Sequence, residues 1–341
     1  MNIIERFKSM TEKAENIVIS THIFPDADGI GSEIALCLAM RSLGKNAICV
    51  NEESLLERYK YLDPQDVVIS LSDYRAFYPE AEIDLFIVVD TNALDRIGEG
   101  CRQLAGTAKD VLFIDHHPCL KEVMRNNCVD TTKAATGELA GDLIQSIGVE
   151  LTREMALPLY TAVLIDTSSF RYPTVTGNTH RLIGSLMDTG VRPPHAYNMI
   201  YGTKKITFMK LLGKVLANVH TTKDEKIAWL TLTEDLLEKF HVDTEDTHAF
   251  INHLLVLDNI KVAVMFKQTG SQIKVSLRSV GTVDVGVMAR SLGGGGHDHS
   301  AATLIEGNLD EVIKSTIEKL QVLLAAVEKN ETKLSEKVLP G

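Results

Sequence analysis

Apolar residues along this chain alternate between short unbroken runs and longer stretches where they recur every three or four positions. The first pattern marks buried strands, and the second marks helices that cover them. Residues 17–21 (Ile-Val-Ile-Ser-Thr) read as a strand, a glycine-containing turn follows, and an apolar helix runs from about 30 to 43. Residues 84–89 and 111–114 are further strand-length apolar runs with helical stretches between them. This alternation predicts an α/β domain built on a parallel sheet.

Helical patterns continue at 137–147, 155–164 and 179–187, until Gly190-Val191-Arg192-Pro193-Pro194 interrupts the chain. Glycine and proline punctuate structure, so a first domain is expected over 1–190, followed by a helical connector over 191–217. Strands near 226–232, 260–267 and 272–278, a helix over 285–292 and a last long helix over 310–328 predict a second, smaller α/β domain at 218–329. The polar tail, 330–341, is expected to fray.

Composition agrees with two globular domains: the chain has 341 residues, 45% hydrophobic and 24% charged. No apolar run approaches the roughly 20 residues needed to cross a bilayer, and the N-terminus lacks a basic segment followed by an apolar core, so a cytoplasmic protein is expected. Five cysteines without a Cys-x-x-Cys pair read as reduced core residues. A net charge of −11 argues against long DNA as a partner, because phosphate contacts along a polymer need clustered lysine and arginine. A small anionic substrate remains compatible if bound cations neutralise local acids.

The chemistry gathers where apolar elements end. The first predicted strand leads into Thr21-His22-Ile23-Phe24-Pro25-Asp26-Ala27-Asp28-Gly29; the second run ends in Asp90-Thr91, the third in Asp115-His116-His117, and an apolar helix ends in Asp166-Thr167. Ligands of open α/β sheets bind at such strand ends. Each acid alone also fits a turn or helix cap. Together, Asp26, Asp28, Asp90 and Asp166 would concentrate like charge that is tolerable only beside cations. Carboxylates with imidazoles suit manganese, with magnesium, iron or zinc as alternatives. Two such ions need a bridging carboxylate, for which Asp90 is the candidate.

These motifs resemble the DHH phosphoesterases, a family named for the triplet found here as Asp115-His116-His117. The resemblance rests on His22-x-x-x-Asp26-x-Asp28, Asp90-Thr91, Asp115-His116-His117 and Asp166-Thr167, with Ser276-Leu277-Arg278-Ser279 and Gly293-Gly294-Gly295-Gly296-His297 in the second half. It implies a five-stranded parallel domain and a smaller mixed-sheet domain, with the active site in the cleft between them. It further implies that His22, Asp26 and Asp90 hold one divalent ion and Asp28, Asp90, His116 and Asp166 the other. Asp115 would orient the histidines and His117 would face the scissile phosphate. Arg278 and His297 would bind substrate. On the residues themselves, Gly295 and Gly296 either let backbone amides approach a phosphate or form a flexible linker, and Arg171 either helps neutralise phosphate or caps its helix. A homodimer is also implied.

Departures from the family pattern at Phe24, Ala27 and Gly29 touch no implied ligand, whereas Gly296-His297-Asp298-His299-Ser300-Ala301-Ala302 lacks a terminal glycine, which bears on substrate choice. Tyr197 and Tyr201 suit either base packing or helix packing. There is no Walker A motif, complete dinucleotide fingerprint, nucleophile elbow or His-Glu-x-x-His in the chain. The activity that the resemblance implies is two-metal hydrolysis of short oligoribonucleotides and linear dinucleotides to mononucleotides, with a hydroxide bridging the ions expected as nucleophile. Alternatives are a 3′-phosphatase of phosphoadenosine phosphate, a cyclic-dinucleotide phosphodiesterase, and a nucleotide sensor without turnover.

Overall fold

In a computed structural model, describing residues 2–202, 204–296 and 298–338 (of 245, 246 and 330–338 the backbone alone), the chain divides into two units, Met1–Thr203 and Lys204–Gly341. The division falls within the predicted connector.

The first unit carries strands β1 (Asn16–Ser20), β2 (Asn46–Asn51), β3 (Val68–Ser70), β4 (Leu85–Val89), β5 (Asp110–Asp115) and β6 (Cys128–Val129). They form one parallel sheet in the order β3-β2-β1-β4-β5-β6. Its helices are α1 (Ile3–Lys13), α2 (Ala27–Ser42), α3 (Leu71–Phe77), α4 (Glu99–Ala105), α5 (Lys121–Asn126), α6 (Thr136–Ser146), α7 (Arg153–Asp166), α8 (Gly177–Asp188) and α9 (Pro193–Tyr201). The central strands are unbroken apolar runs because both faces are buried. Ile17, Ile19, Leu85, Ile87 and Val89 join the core beneath α2, α6 and α7, while Val18, Phe86 and Val88 join a second core on the opposite face with α3 and α4.

The sheet has six strands where the resemblance implied five. The additional pairing, of Cys128 and Val129 with Ile114 and Asp115, spans only two residues and leaves no strand-length apolar run. Strand order reverses between β1 and β4, each of which turns away from the other to its next neighbour in sequence. A crevice therefore opens at their carboxyl ends, where doubly wound sheets bind ligands.

Helix α2 starts at Ala27, three residues before its apolar pattern, because Asp26 caps it and accepts from the amides of Asp28 and Gly29. It is buried from Ala27 to Met40 and so has no polar face, as expected of a helix enclosed by sheet and other helices. Gly31 lies against α7: an added Cβ would come within 2.3 Å of the Pro158 carbonyl oxygen. The two helix backbones are in direct contact there.

The second unit pairs β7 (His220–Thr221), β8 (Ile227–Leu232), β9 (Val262–Thr269), β10 (Gln272–Ser279), β11 (Gly295–Gly296) and β12 (Ser300–Glu306) in the order β11-β12-β10-β9-β8-β7. Only β8 and β9 are parallel, so the sheet is mixed. Helices α12 (Val285–Ser291) and α13 (Leu309–Val338) cover one face, and α10 (Ile206–Leu216) and α11 (Glu234–Phe240) cover the other. The glycine run is structural rather than a free linker. A Cβ at Gly294 would meet the Ala302 carbonyl oxygen at 2.2 Å, and one at Gly296, where φ is +138°, would meet that of Ser300 at 2.4 Å. Among the described residues no helix is long and apolar enough to cross a membrane.

Candidate metal centre

Three strand ends and two helix ends meet on the first unit's sheet. His22 and Asp26 follow β1, Asp90 follows β4, Asp115 closes β5 with His116 and His117 behind it, Asp28 lies in the first turn of α2, and Asp166 ends α7. Their ligating atoms fall into three overlapping groups, each within 4.8 Å: His22, Asp26 and Asp90; Asp28, His116 and Asp166; and Asp90, His116 and His117. His22, Asp26, Asp28, Asp90, His116, His117 and Asp166 thus stand together, and Asp115 joins them through its hydrogen bond with His117.

The imidazoles are oriented by acceptors behind them. His22 Nδ1 lies 2.9 Å from the Ile23 carbonyl oxygen, and His116 Nδ1 lies 3.2 Å from that of Lys133. A carbonyl only accepts, so each Nδ1 carries a proton, and in the neutral ring each Nε2 presents a lone pair inward. His22 Nε2 faces Asp90 Oδ2 at 3.4 Å; His116 Nε2 faces Asp166 Oδ2 at 3.3 Å and Asp28 Oδ2 at 3.9 Å. His116 Nε2 is buried without a hydrogen-bond partner, a state that ordinarily costs about 1–3 kcal/mol. A lone pair directed at carboxylate oxygens is satisfied by a cation between them.

The acids give the same result. Burial raises Asp90 well above the usual carboxylate range, and repulsion by Asp28, Asp26, Asp166 and Asp115 raises it further. Asp166 is raised well above that range by burial and then by Asp28 and Asp26. Burial also raises Asp28, against the opposing pull of His116 and the amides of Gly137 and Thr136. Such a cluster is either protonated or charge-compensated. Oxygen and nitrogen donors without thiolate match a pair of hard or borderline divalent ions, so the residues present fit that group.

Asp115 behaves differently. Burial raises it, but the hydrogen bond and charge of His117 outweigh that, leaving it below its ordinary value. His117 Nδ1 lies 2.6 Å from Asp115 Oδ1, and Asn92 Nδ2 donates to Oδ2 at 2.6 Å.

Sequence reasoning missed Asn92 and the start of α6. The amides of Thr136 and Gly137 donate to the two oxygens of Asp28, each at 2.8 Å, and Thr136 Oγ1 donates to Asp90 Oδ1 at 2.9 Å. A helix N-terminus thus faces a carboxylate, a favourable arrangement of dipole and charge. Buried Glu138 accepts from the Ala134 amide and the Thr179 hydroxyl at 3.0 Å each, and lies 3.7 Å from Lys133 Nζ. It fixes the loop whose carbonyl orients His116. The Thr-Gly-Glu start of an apolar helix was the available signal for this feature.

Arg171 donates from Nε to the Ser168 carbonyl at 2.7 Å and from Nη2 to the Ser168 hydroxyl at 2.8 Å. It braces a turn in which Ser168, Ser169 and Phe170 all have left-handed backbone, φ 49°, 64° and 64°. That conformation, directly after Asp166, costs bulky residues of order 1–3 kcal/mol each and clusters at functional sites. In the second unit, Arg278 near the end of β10 pairs with Ser300 of β12, whose next residue, Ala301, pairs with Gly296 of β11. Arg278, Gly295 and Gly296 therefore share one end of that sheet, joined by Arg290, whose Nη1 donates to the Gly296 carbonyl at 3.5 Å. His297 lies outside the described residues.

Residues 16–163 match the DHH family, N-terminal domain, and residues 224–329 match the DHHA1 domain. The chain is 29% identical over 313 residues to the bifunctional oligoribonuclease and PAP phosphatase NrnA of Thermus thermophilus, covering 89% of each chain. It is 30% identical over 300 residues to the probable bifunctional oligoribonuclease and PAP phosphatase NrnA of Streptococcus mutans, covering 85% of this chain and 91% of that one. Its fold is similar to the solved structure of an exopolyphosphatase-related protein from Bacteroides fragilis, with a TM-score of 0.86, 27% identity, and coverage of 95% and 97%. Aspartates and histidines at the ends of β1, β4 and β5, and the two domain matches in sequence order, lead to one assignment: this chain belongs to the DHH family and is a hydrolase of phosphoester bonds.

Proposed function

We propose that the protein is a two-metal phosphodiesterase that hydrolyses short oligoribonucleotides and linear dinucleotides to nucleoside monophosphates. The observation that carries this reading is the sharing of buried Asp90 between two of the donor groups, beside imidazoles whose Nε2 lone pairs turn inward. His22, Asp26 and Asp90 would hold one divalent ion, and Asp28, Asp90, His116 and Asp166 the other, manganese being the best match to these donors. When bound, such ions supply Lewis acidity and an activated water at neutral pH.

The chain's own residues then have distinct tasks. Asp115, kept anionic by Asn92 and His117, holds the proton of His117 on Nδ1. Carrying a proton on each ring nitrogen, His117 would turn its Nε2–H to the phosphate and donate to a non-bridging oxygen. Thr136 holds Asp90 through its hydroxyl, and the α6 amides hold Asp28, so both carboxylates keep their orientation through turnover. Arg278, Gly295, Gly296 and Arg171 are proposed substrate contacts, and a homodimer the working assembly.

Product analysis on a panel of dinucleotides, oligoribonucleotides and phosphoadenosine phosphate with manganese tests the reading. Mononucleotides released from 5′-phosphorylated dinucleotides support it, and absence of hydrolysis of every diester in the panel overturns it. The names of the two curated relatives favour a second reading, 3′-phosphatase activity on phosphoadenosine phosphate, which the same panel separates.

A further inference from the structure

Among the described residues Phe24 is the most exposed of the large hydrophobics, with 89% of its surface accessible. Its backbone is left-handed at φ 54°, a region that bulky residues rarely occupy, and the following Pro25 itself favours an extended predecessor. The fold therefore retains a strained conformation that leaves an aromatic ring in solvent, with no share in the core. Such outliers persist where the flanking structure imposes them, and they gather at ligand sites.

The flanks are fixed. The Ile23 amide donates to the Arg96 carbonyl at 2.7 Å, its carbonyl takes the His22 Nδ1 proton at 2.9 Å, and Asp26 caps α2. Phe24 stands two residues from His22 and two from Asp26, so its Cα lies within about 7 Å of the Cα of each. Phe24 therefore borders the centre, with its ring exposed.

We propose that Phe24 is a stacking platform for a nucleobase of the substrate, at the nucleotide whose phosphate occupies the metal centre or at its neighbour. The proposal rests on the nucleotide-hydrolysing reading above. An uncharged ring accepts the π-face of any base, so the contact favours nucleotides over simple phosphate esters without selecting strongly among bases. It also gives the acidic chain an affinity element that needs no positive charge.

The test uses the full-length, manganese-loaded protein with 5′-phosphorylated diadenylate and with analogues in which either base is replaced by hydrogen. Phe24→Ala is expected to raise KM on the intact dinucleotide roughly 5- to 100-fold, to leave kcat within about twofold, and to remove the KM gap between intact and abasic substrates. Phe24→Trp is expected to keep wild-type KM. Phe24→Gly, suited to the left-handed backbone, is expected to match or exceed the wild-type melting temperature while binding as poorly as Phe24→Ala. An unchanged KM for Phe24→Ala, beside a wild type that hydrolyses the dinucleotide, overturns the platform alone. Loss of dimerisation at constant KM makes the ring an assembly contact and also overturns it. Failure of the wild type to hydrolyse any of these diesters removes the functional reading and the platform with it.

Discussion

Asn92 and Asp115 are joined by a 2.6 Å hydrogen bond, from the amide nitrogen to Oδ2, on the side of the carboxylate opposite His117. The amide fixes the carboxylate, and the carboxylate fixes the orientation of the imidazole. Asn92→Ala should lower kcat by about 10- to 100-fold with metal content retained. Asp115→Asn should cost more, on the order of a thousandfold, because a neutral amide removes the negative charge beside an imidazolium and can turn a donor toward Nδ1. Steady-state kinetics beside elemental analysis checks both; equal loss of metal and activity would instead make Asp115 a determinant of metal binding.

Asp90→Asn should abolish stable loading of two ions and with it diester hydrolysis. The metal-free variant should nevertheless be more stable than metal-free wild type at pH 8, by about 1–3 kcal/mol, since a neutral amide removes buried repulsion. The sign follows from the raised folded value: the native acid retains a proton that the unfolded chain has released, so stability falls as pH rises above the unfolded value near 3.8. At pH 3 the two proteins should converge. Metal affinity should rise with pH, because ions displace protons from Asp90, Asp166 and Asp28. Denaturant titration and calorimetry in buffers of different ionisation enthalpy measure the two effects.

Glu33 offers a pH test away from the metal centre. It is completely buried in α2, accepts from Asn51 Nδ2 at 2.8 Å, leaves Oε2 without a partner, and is held well above its usual value by burial. Stability should therefore decline by up to about 1.4 kcal/mol per pH unit from the unfolded value near 4.5 upward, until the folded group ionises. Glu33→Gln should remove that slope, matching wild type near pH 4 and exceeding it at pH 8. Parallel stability curves across that range would refute the buried neutral acid.

Gly137→Ala tests the support beneath Asp28. Its Cβ would come within 2.5 Å of the Ala162 Cβ, so the start of α6 must move away from α7 and take its amides from Asp28. A loss of about 1–3 kcal/mol and weaker metal binding are expected, read by thermal unfolding with and without manganese.

The sequence disclosed the ligands more fully than their supports. Asp90, Asp115 and Asp166 each end an apolar run, so their placement follows from where strands and helices stop. Asn92 and Thr136 carry no such mark, since a neutral side chain in a loop is informative only once its partner is known to be near. Strand β2 escaped because its ends are Asn46 and Asn51, the latter a buried acceptor for the Thr21 amide rather than an exposed turn residue. The early start of α2 was masked for a related reason: Asp26 caps that helix as well as belonging to the ligand cluster.

At Gly31 and Pro158 the spacing of α2 and α7 is set by main chain against main chain, and these are the helices that bear Asp28 and Asp166. The span between those two carboxylates is thus ruled by peptide geometry, which side-chain repacking cannot stretch. Re-engineering the protein for a larger cation, such as calcium, would require rebuilding a helix crossing, whereas exchanging the donors alone would leave the aperture at its present width.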